Sequence, residues 1–486
     1  MKVFSDCQMY SLRVLEFYNE KTKQKRFLLC RSVFVRTKRR SAKGKGRVQE
    51  REAIMRLRKM WKKLVSAALT TTLVVGLVGC GNSSSGGKKL GKDGGKLIIG
   101  GTYTLSGECA HAGQNTLKGA KAAVEYINNN GGVNGQKVEL KYYDDEFDES
   151  KIPTLYEKLI SDDKVDLLTS PYTSPFLAAA PIAAKHNKEM FCVAADSYTA
   201  NEQYQKLIAN PQMDESWKGG GWWKDVFEYL NENYDKYETS GKKTVAILNL
   251  ETTYGHEVSD AVGKFLKKNG FNVVYEEFFD PGNSDWTATV QKVKNLKPDV
   301  LFAPQYFEDS VSLVQKCKEM DCYAPIMIIE GMSWDPISWP NTELGGLEPS
   351  TAKLPFLGYS IYKEKYDSKS KEFLADYCKK EFNSIPSNDV ICGFMAVELA
   401  CEAARKANST ETEDLQKAMT ENTFNLAGYP YKMNETGGNG ADFDWGCGQF
   451  QPKDLSKADE SGDDWVTLWP EKYATSSEAL TFKGWK

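Results

Sequence analysis

The feature that most constrains this chain is a double series of alternating strands and helices that begins at residue 96. The first series has four β-rich runs, at 96–104, 138–145, 165–171 and 189–195. The second has four more, at 244–250, 271–279, 299–305 and 324–331. Segments with helical spacing of their apolar residues separate the runs. Strands that alternate with helices pair in parallel through right-handed crossovers, so the pattern predicts an α/β fold with two Rossmann-like lobes.

Helical periodicity returns after the second series, at 371–383, 389–406 and 412–421. These helices are best placed back on the first lobe, which requires several chain crossings and hence a hinge. We therefore predict lobe 1 from 97–212 and 361–448, and lobe 2 from 213–360 and 449–486. The run Lys-Gly-Gly-Gly-Trp-Trp at 218–223 is expected to begin a helix near one crossing.

The segment before the globule has the pattern of an export signal. Lysines at 59, 62 and 63 precede an apolar stretch at 64–78, which is too short for an ordinary spanning helix. The stretch ends in Leu77-Val78-Gly79-Cys80, which resembles the bacterial lipobox. We predict a lipoprotein signal peptide at 55–79, with lipidated Cys80 and a Gly/Ser/Lys-rich tether at 80–96. The alternative is a buried helix that ends in a chance cysteine.

Residues 1–54 carry 15 basic and 5 acidic residues, which does not fit the short n-region of a signal peptide. They are interpreted as a mis-assigned or disordered basic extension, with a true start at Met55 or Met60. A genuine basic tail is the alternative. Residues 80–486 carry 43 Lys and Arg against 61 Asp and Glu, so the globule would repel phosphates and is not expected to bind nucleic acid.

The sequence has no strong pattern for catalysis or for a metal. HExxH, GxSxG and Walker A motifs do not occur, so we predict no enzyme activity, no cofactor and no metal site. The acidic run 144–149 lacks the EF-hand spacing and is expected to be a solvated loop. The eight cysteines beyond Cys80 are scattered and are interpreted mostly as buried thiols.

Four phrases in the globule resemble the leucine/isoleucine/valine-binding family of type I periplasmic solute-binding proteins. They are TLSGECAHAGQNTLKGAKAAVEYINNNGGVNGQKVELKYYDDEFD (104–148), ILNLETTYGHEVSDAV (247–262), FDPGNSDWTATVQKVKNLKPDVLFAPQY (279–306) and IIEG (328–331). The resemblance implies a monomer on the extracytoplasmic face of the cell membrane, held there by the lipid on Cys80. It would trap an amino acid, branched-chain or related, between two lobes and deliver it to an ABC permease.

The resemblance also implies the ligand contacts. Hydroxyl and backbone groups at Ser174, Ala195 and Ser197, where strands of lobe 1 end, would bind the carboxylate of the ligand. In lobe 2, Tyr254 and Tyr306 would line the cleft, and Glu330 would pair with the ammonium group. Serine is also a common helix N-cap, and the tyrosines and the glutamate could instead be ordinary packing and strand-end residues.

Three further positions are candidates for the pocket around the ligand's side chain: Ala112, Trp334 and Asp389. Relatives often carry an aromatic residue where this chain has Ala112, and an apolar one near Asp389, so a larger or polar amino acid is an alternative to a branched-chain one. His111 is expected to be a solvent-facing loop residue. The alternative functions are a ligand-sensing receptor domain for amino acids or aromatic acids and, less supported, an exported α/β enzyme.

Overall fold

The computed structural model describes residues 90–91, 95–107, 109–195, 203–204, 207–211, 217, 221–283, 285–331, 368–383, 386–441, 446–451 and 465–485, and the backbone of 15–19, 24–28 and 357–359. The chain divides into two compact units, 1–84 and 85–486. In the first, strands Leu15–Asn19 and Gln24–Leu28 form an antiparallel pair. The predicted signal peptide and Cys80 lie outside the described residues. No helix in the described part is long and apolar enough to cross a bilayer.

The first lobe contains a five-stranded sheet in which every pair of neighbours is parallel. Its strands in chain order are β1 (Lys96–Tyr103), β2 (Lys137–Asp144), β3 (Leu167–Thr169), β4 (Met190–Phe191) and β5 (Ile208–Ala209). Their spatial order is β2-β1-β3-β4-β5. Three helices connect the first four strands: α1 (Ala110–Asn129), α2 (Ile152–Ser161) and α3 (Thr173–Lys185).

The second lobe contains a seven-stranded sheet. Its strands are β6 (Thr244–Leu250), β7 (Asn272–Phe279), β8 (Val300–Ala303), β9 (Ile326–Ile329), β10 (Leu357–Tyr359), β13 (Cys447–Phe450) and β14 (Trp465–Trp469). Their spatial order is β14-β13-β10-β9-β8-β6-β7. Four helices belong to it: α4 (Gly221–Asn233), α5 (Thr253–Lys268), α6 (Thr287–Leu296) and α7 (Phe307–Glu319). Strands β6 to β10 pair with one another in parallel. Strand β13 pairs antiparallel with β10, and β14 pairs antiparallel with β13.

The chain returns to lobe 1 between β10 and β13. This return contains α8 (Lys369–Phe382), α9 (Asn388–Ala407), α10 (Thr412–Glu421) and a hairpin of β11 (Phe424–Leu426) and β12 (Tyr429–Tyr431). Leu374, Leu399 and Leu415 from the three helices share one buried core with Leu97 and Leu117 of the first lobe. The predicted α/β class with two lobes is therefore confirmed. Strand β13 begins at Cys447 in the second sheet, so the last crossing precedes the predicted boundary at 449.

Helices α1 and α9 cross at two glycines that leave no room for a side chain. A β-carbon on Gly119 would lie 1.9 Å from the Val390 carbonyl oxygen, and one on Gly393 would lie 1.9 Å from the Thr116 carbonyl oxygen. The two backbones therefore approach as closely as glycine allows. This contact fixes the start of α9 against α1, which decides where Asp389 and Ala112 lie.

We expect Gly393→Ala to lower the free energy of unfolding by about 1–3 kcal/mol or more, because the new methyl group meets backbone rather than a movable side chain. Chemical denaturation measures the change. Gly263→Ala in α5 is the matched control, since nothing lies within 4 Å of the β-carbon that it adds. The control should be neutral or stabilising by about 0.5–1 kcal/mol. Equal stability of Gly393→Ala and the wild type would contradict the close crossing.

Candidate functional site

A cleft lies between the two lobes, where the carboxyl ends of their parallel strands meet, with about 560 Å³ of empty space that includes its opening to solvent. Residues from both lobes line it. Lobe 1 contributes Ala112, Tyr172, Thr173, Ala194 and Asp389, and lobe 2 contributes Trp222, Tyr254, Gln305, Tyr306, Phe307, Glu330 and Gly331. The position follows from the topology, because the loop after each parallel strand opens on the same edge of its sheet.

Glu330 directly follows β9 and is a buried carboxylate in the cleft, with 8% of its surface exposed. The hydroxyl of Tyr254 donates to its Oε1 across 2.6 Å, and the indole Nε1 of Trp223 donates to that hydroxyl across 3.2 Å. Burial, reinforced by the nearby carboxylate, raises the pKa of Tyr254 well above its ordinary value. The phenol is therefore neutral at physiological pH and acts as a donor that fixes the orientation of Glu330.

Aromatic rings form two walls of the cleft. Trp222 stacks on Tyr254 with ring centroids 5.8 Å apart. Tyr172 and Tyr306, one from each lobe, lie 6.1 Å apart, and Phe147 meets Tyr306 edge-on at 5.6 Å. Burial raises the pKa of Tyr172 and that of Tyr306 well above the ordinary value, so both phenols are neutral. The walls are apolar faces with few charges between them.

Tyr172 is held by a buried chain of hydrogen bonds. Its hydroxyl donates to Thr104 Oγ1 across 2.6 Å, and Thr104 Oγ1 donates to Asp145 Oδ1 across 2.7 Å. Asp145 is fully buried, and burial raises the pKa of its carboxyl group. The expectation that the acidic run 144–149 is a solvated loop is thus wrong at Asp145, because this carboxylate serves as an internal acceptor.

Gln305 presents a buried acceptor in the cleft. Its Nε2 donates to the carbonyl oxygen of Leu248 across 3.0 Å, which fixes the orientation of the amide. Its Oε1 is fully buried and has no hydrogen-bond partner among the described residues. An unpaired buried carbonyl is costly, so a ligand that donates a hydrogen bond here would be favoured.

The start of helix α3 supplies the polar groups of lobe 1. Tyr172 is its N-cap and Thr173 its first residue, and both line the cleft. The N-terminus of a helix presents backbone N–H groups and a partial positive charge, which suits a carboxylate. The predicted Ser174 lies one residue further on and does not line the cleft. Its Oγ is buried without a hydrogen-bond partner in the described part of the chain.

Ala194, and not the predicted Ala195, is the residue of this segment that lines the cleft. The side chain of Ala195 is fully buried in the core of lobe 1, and a backbone contact of Ala195 with a ligand stays a prediction. Alternation along an extended segment turns neighbouring side chains to opposite sides, and the sequence alone did not fix which of the two alanines faces the cleft. Ser197 and Trp334 lie outside the described residues.

Of the predicted positions, Tyr254, Tyr306, Glu330, Ala112 and Asp389 line the cleft together, and their contacts with a ligand remain predictions. Sequence reasoning missed Tyr172, Thr173, Ala194, Trp222, Gln305, Phe307 and Gly331. Most of these are immediate neighbours of predicted residues after the same strands, so position relative to strand ends was the available signal. Trp222 lies in the run that was expected to begin a helix near the crossing, and α4 begins at Gly221.

His111 joins the two lobes at the rim of the cleft and is not a solvent-facing loop residue as expected. It is in the first turn of α1, and its ring stacks on Phe307 of lobe 2 with centroids 4.3 Å apart. Its backbone N–H donates to Glu308 Oε1 across 3.0 Å. The eight cysteines from Cys109 to Cys447 are buried free thiols, as predicted.

Comparison with known proteins places this geometry in a family. A family model described as periplasmic binding protein matches residues 96–445. The leucine-, isoleucine-, valine-, threonine- and alanine-binding protein of Pseudomonas aeruginosa is 25% identical over 332 residues, covering 68% of this chain and 83% of that protein. The Leu/Ile/Val-binding protein BraC3 of Rhizobium johnstonii is 24% identical over 317 residues, covering 65% of this chain and 80% of that protein.

Solved structures share the fold. The substrate-binding protein LivJ of Streptococcus pneumoniae in complex with isoleucine has a TM-score of 0.61 at 18% identity, with 76% of this chain and 99% of that chain covered. A solute-binding protein of Rhodopseudomonas palustris in complex with 3,4-dihydroxybenzoic acid has a TM-score of 0.60 at 22% identity, with 71% and 90% covered. The family model matches well over half of the present chain. This chain therefore belongs to the periplasmic binding protein family and is a solute-binding protein, not an enzyme.

Proposed function

We propose that this chain is the substrate-binding lipoprotein of an ABC importer and captures an α-amino acid between its lobes. One observation supports the choice of an amino acid as the ligand. A buried carboxylate from lobe 2, Glu330, and the N-terminus of a helix from lobe 1, α3, line the same cleft. These two groups complement the ammonium and the carboxylate of a zwitterion.

The ammonium end is assigned to Glu330. A carboxylate in a buried site is stabilised by donors and by positive charge, and its two oxygens accept several hydrogen bonds, one of which comes from Tyr254. None of the described residues that line the cleft is Lys, Arg or His. A ligand ammonium would bring a positive charge to Glu330, with Gln305 Oε1 as a second acceptor at the end of the neighbouring strand β8.

The carboxylate end is assigned to the start of α3. Backbone N–H groups there donate without a change of protonation, and Thr173, whose side chain carries a hydroxyl group, lines the cleft on the same first turn. The curated relatives named above support an amino acid, since their names give leucine, isoleucine and valine as the bound solutes.

An aromatic acid is the second candidate, favoured by the aromatic walls and by the relative bound to 3,4-dihydroxybenzoic acid. Such a ligand has no ammonium group. It would place its carboxylate in a cleft lined by Glu330 and Asp389, without a cationic side chain among the described lining residues. Like charges in a buried site repel, so the electrostatics favour the amino acid.

Delivery to a permease is proposed because the similar solved structures are solute-binding proteins of transporters. A cleft between two lobes also suits capture of a solute by closure of the lobes around it. The lipid anchor rests on the lipobox-like run that ends at Cys80. An extracytoplasmic position at the membrane surface would place the cleft beside the permease.

We expect Glu330→Gln to weaken binding of the cognate amino acid by about 2–5 kcal/mol, or roughly 30- to 4,000-fold, because it removes one partner of a buried charge pair. A thermal-shift screen against the standard amino acids, benzoate and 3,4-dihydroxybenzoate first identifies the ligand, since binding to the folded state raises the melting temperature. Calorimetry then gives the affinity of each variant.

The matched control is Glu319→Gln at the exposed end of α7, which should bind as the wild type does. If only the benzoates raise the melting temperature, the assignment of an ammonium to Glu330 is wrong. Unchanged affinity of Glu330→Gln for an amino acid would remove Glu330 from the binding site.

We expect Cys80→Ala to release the protein from the membrane, because the residue that would carry the lipid is gone. The full-length wild type and Cys80→Ala are each expressed in a bacterium. Membrane fractionation then measures where each protein is found, and mass spectrometry identifies its mature N-terminus. The wild type should begin at a lipid-modified Cys80. A wild-type N-terminus upstream of Cys80, or membrane retention of the variant, would contradict the anchor.

A further inference from the structure

We propose that Cys317 and Cys322, at the end of α7, are a redox pair that forms a disulfide by exchange with a small-molecule disulfide. The pair is outside the cleft, so the inference does not depend on which ligand the protein binds. Three features support it: the geometry of the helix end, the charge beside the two sulfurs, and the compartment in which the family works.

Helix α7 ends in a Schellman motif, which brings the first and the sixth of six consecutive residues side by side. The N–H of Cys322 donates to the carbonyl oxygen of Cys317 across 2.8 Å. Inside this bond, the N–H of Asp321 donates to the carbonyl oxygen of Lys318 across 3.1 Å. Asp321 has the left-handed conformation that the motif requires, with a φ of 49°. The two cysteines therefore occupy the pair of positions whose side chains the motif places in contact.

Helix α5 shows what these two positions ordinarily hold. Its end has the same hydrogen bond, from the Phe271 N–H to the Leu266 carbonyl oxygen across 2.9 Å, and both side chains are buried in the core of lobe 2. At the end of α7 the corresponding pair is Cys317 and Cys322, each 1% exposed. Their thiols share a hydrogen bond, so the two sulfurs are already neighbours. A disulfide needs close cysteines whose side chains point toward each other, and this helix end supplies them.

The surroundings favour the reactive form of Cys322. A hydrogen bond from the Cys317 thiol lowers the pKa of Cys322, against the opposing effects of burial and of Asp321, and the positive charge of Lys294 adds to the lowering. The same hydrogen bond raises the pKa of Cys317 well above its ordinary value. Lys294 Nζ donates to the carbonyl oxygen of Met320, which keeps the positive charge at this helix end. Cys322 is therefore the thiol that ionises first, and the thiolate is the nucleophile in disulfide exchange.

The exchange takes place in two steps that balance. The Cys322 thiolate attacks one sulfur of the small-molecule disulfide, forms a mixed disulfide with it and releases the other sulfur as a thiolate. Cys317 then loses its proton and attacks the Cys322 sulfur, which expels the second thiolate. The two cysteines give up two protons and two electrons, and the small-molecule disulfide takes them up as two thiols.

Compartment and access are compatible with this chemistry. Proteins of the periplasm work where disulfides form and persist, and this chain belongs to a periplasmic binding protein family. Asp321 and Tyr323, on either side of Cys322, are exposed, so the pair is near the surface. The indole Nε1 of Trp485 donates to the Cys322 carbonyl oxygen across 2.7 Å, and the C-terminal segment thereby covers the pair. A small disulfide reaches Cys322 when this segment opens locally.

The disulfide would tie the end of α7 to the segment that leads into β9. At their opposite ends, these two elements carry Phe307 and Glu330, which line the cleft. The bond would therefore secure the framework of the site from the far side, without contact with the ligand.

The test maps the two cysteines in the purified wild-type protein after incubation in a buffer of oxidised and reduced glutathione. Remaining thiols are alkylated in denaturant, and trypsin then cleaves after Lys316 and Lys318, which separates Cys317 from Cys322. We expect mass spectrometry to find the dipeptide 317–318 linked to the peptide 319–353 in most of the protein, and a reductant to release it.

Cys317→Ala should leave the peptide 319–353 as an alkylated thiol or a glutathione adduct. Cys378→Ala is the matched control, because Cys378 is also a buried cysteine near the end of a helix, α8, and Asn383 rather than a cysteine lies five residues further on. The control should leave the link between Cys317 and Cys322 intact.

Recovery of Cys317 and Cys322 as alkylated thiols in the wild type would overturn the inference, as would a link from Cys322 to glutathione alone or to a different cysteine. Should Cys317→Ala not fold, the peptide map of the wild type decides alone. Because no step uses the cleft, failure here would leave the proposed capture of an amino acid standing.

Discussion

The short hydrogen bond between the Tyr254 hydroxyl and the Glu330 carboxylate is the interaction on which the rest of the site depends. It keeps a buried carboxylate in one orientation at the end of a strand, and Trp223 in turn holds the phenol. A carboxylate accepts hydrogen bonds at both oxygens, so a fixed Glu330 can also present an acceptor to a ligand in the cleft. The proposed partner is the positively charged group of that ligand.

The parallel strands of the two sheets explain why such a group can lie close to residues of the other lobe. In each sheet the loops that follow the parallel strands lie at one edge, and the two edges share one cleft. The contacts between His111 and lobe 2 lie at the rim, so the lobes already touch beside the cleft. A ligand in this cleft would therefore be in contact with residues of both lobes.

Much of the fold was predictable because its signals are local. The helix predicted at 412–421 spans those residues in the structure, and the one predicted at 389–406 is longer by one residue at each end. Residues that follow strands were also identifiable, as Tyr254, Tyr306 and Glu330 show. What the sequence could not supply was the direction of single side chains. Ala194 and Ala195 differ only in which side of the segment they face, and Asp145 is buried by contacts from distant residues.

The central claim is that two lobes hold a small zwitterion, with its amine on Glu330 and its acid at the start of α3. The most direct measurement is a crystal structure of the protein with the ligand that the thermal screen selects. The account predicts a ligand nitrogen at hydrogen-bonding distance, about 2.7–3.2 Å, from a Glu330 oxygen, with the ligand carboxylate at the N-terminus of α3. A ligand bound elsewhere, or with its nitrogen directed away from Glu330, would contradict it.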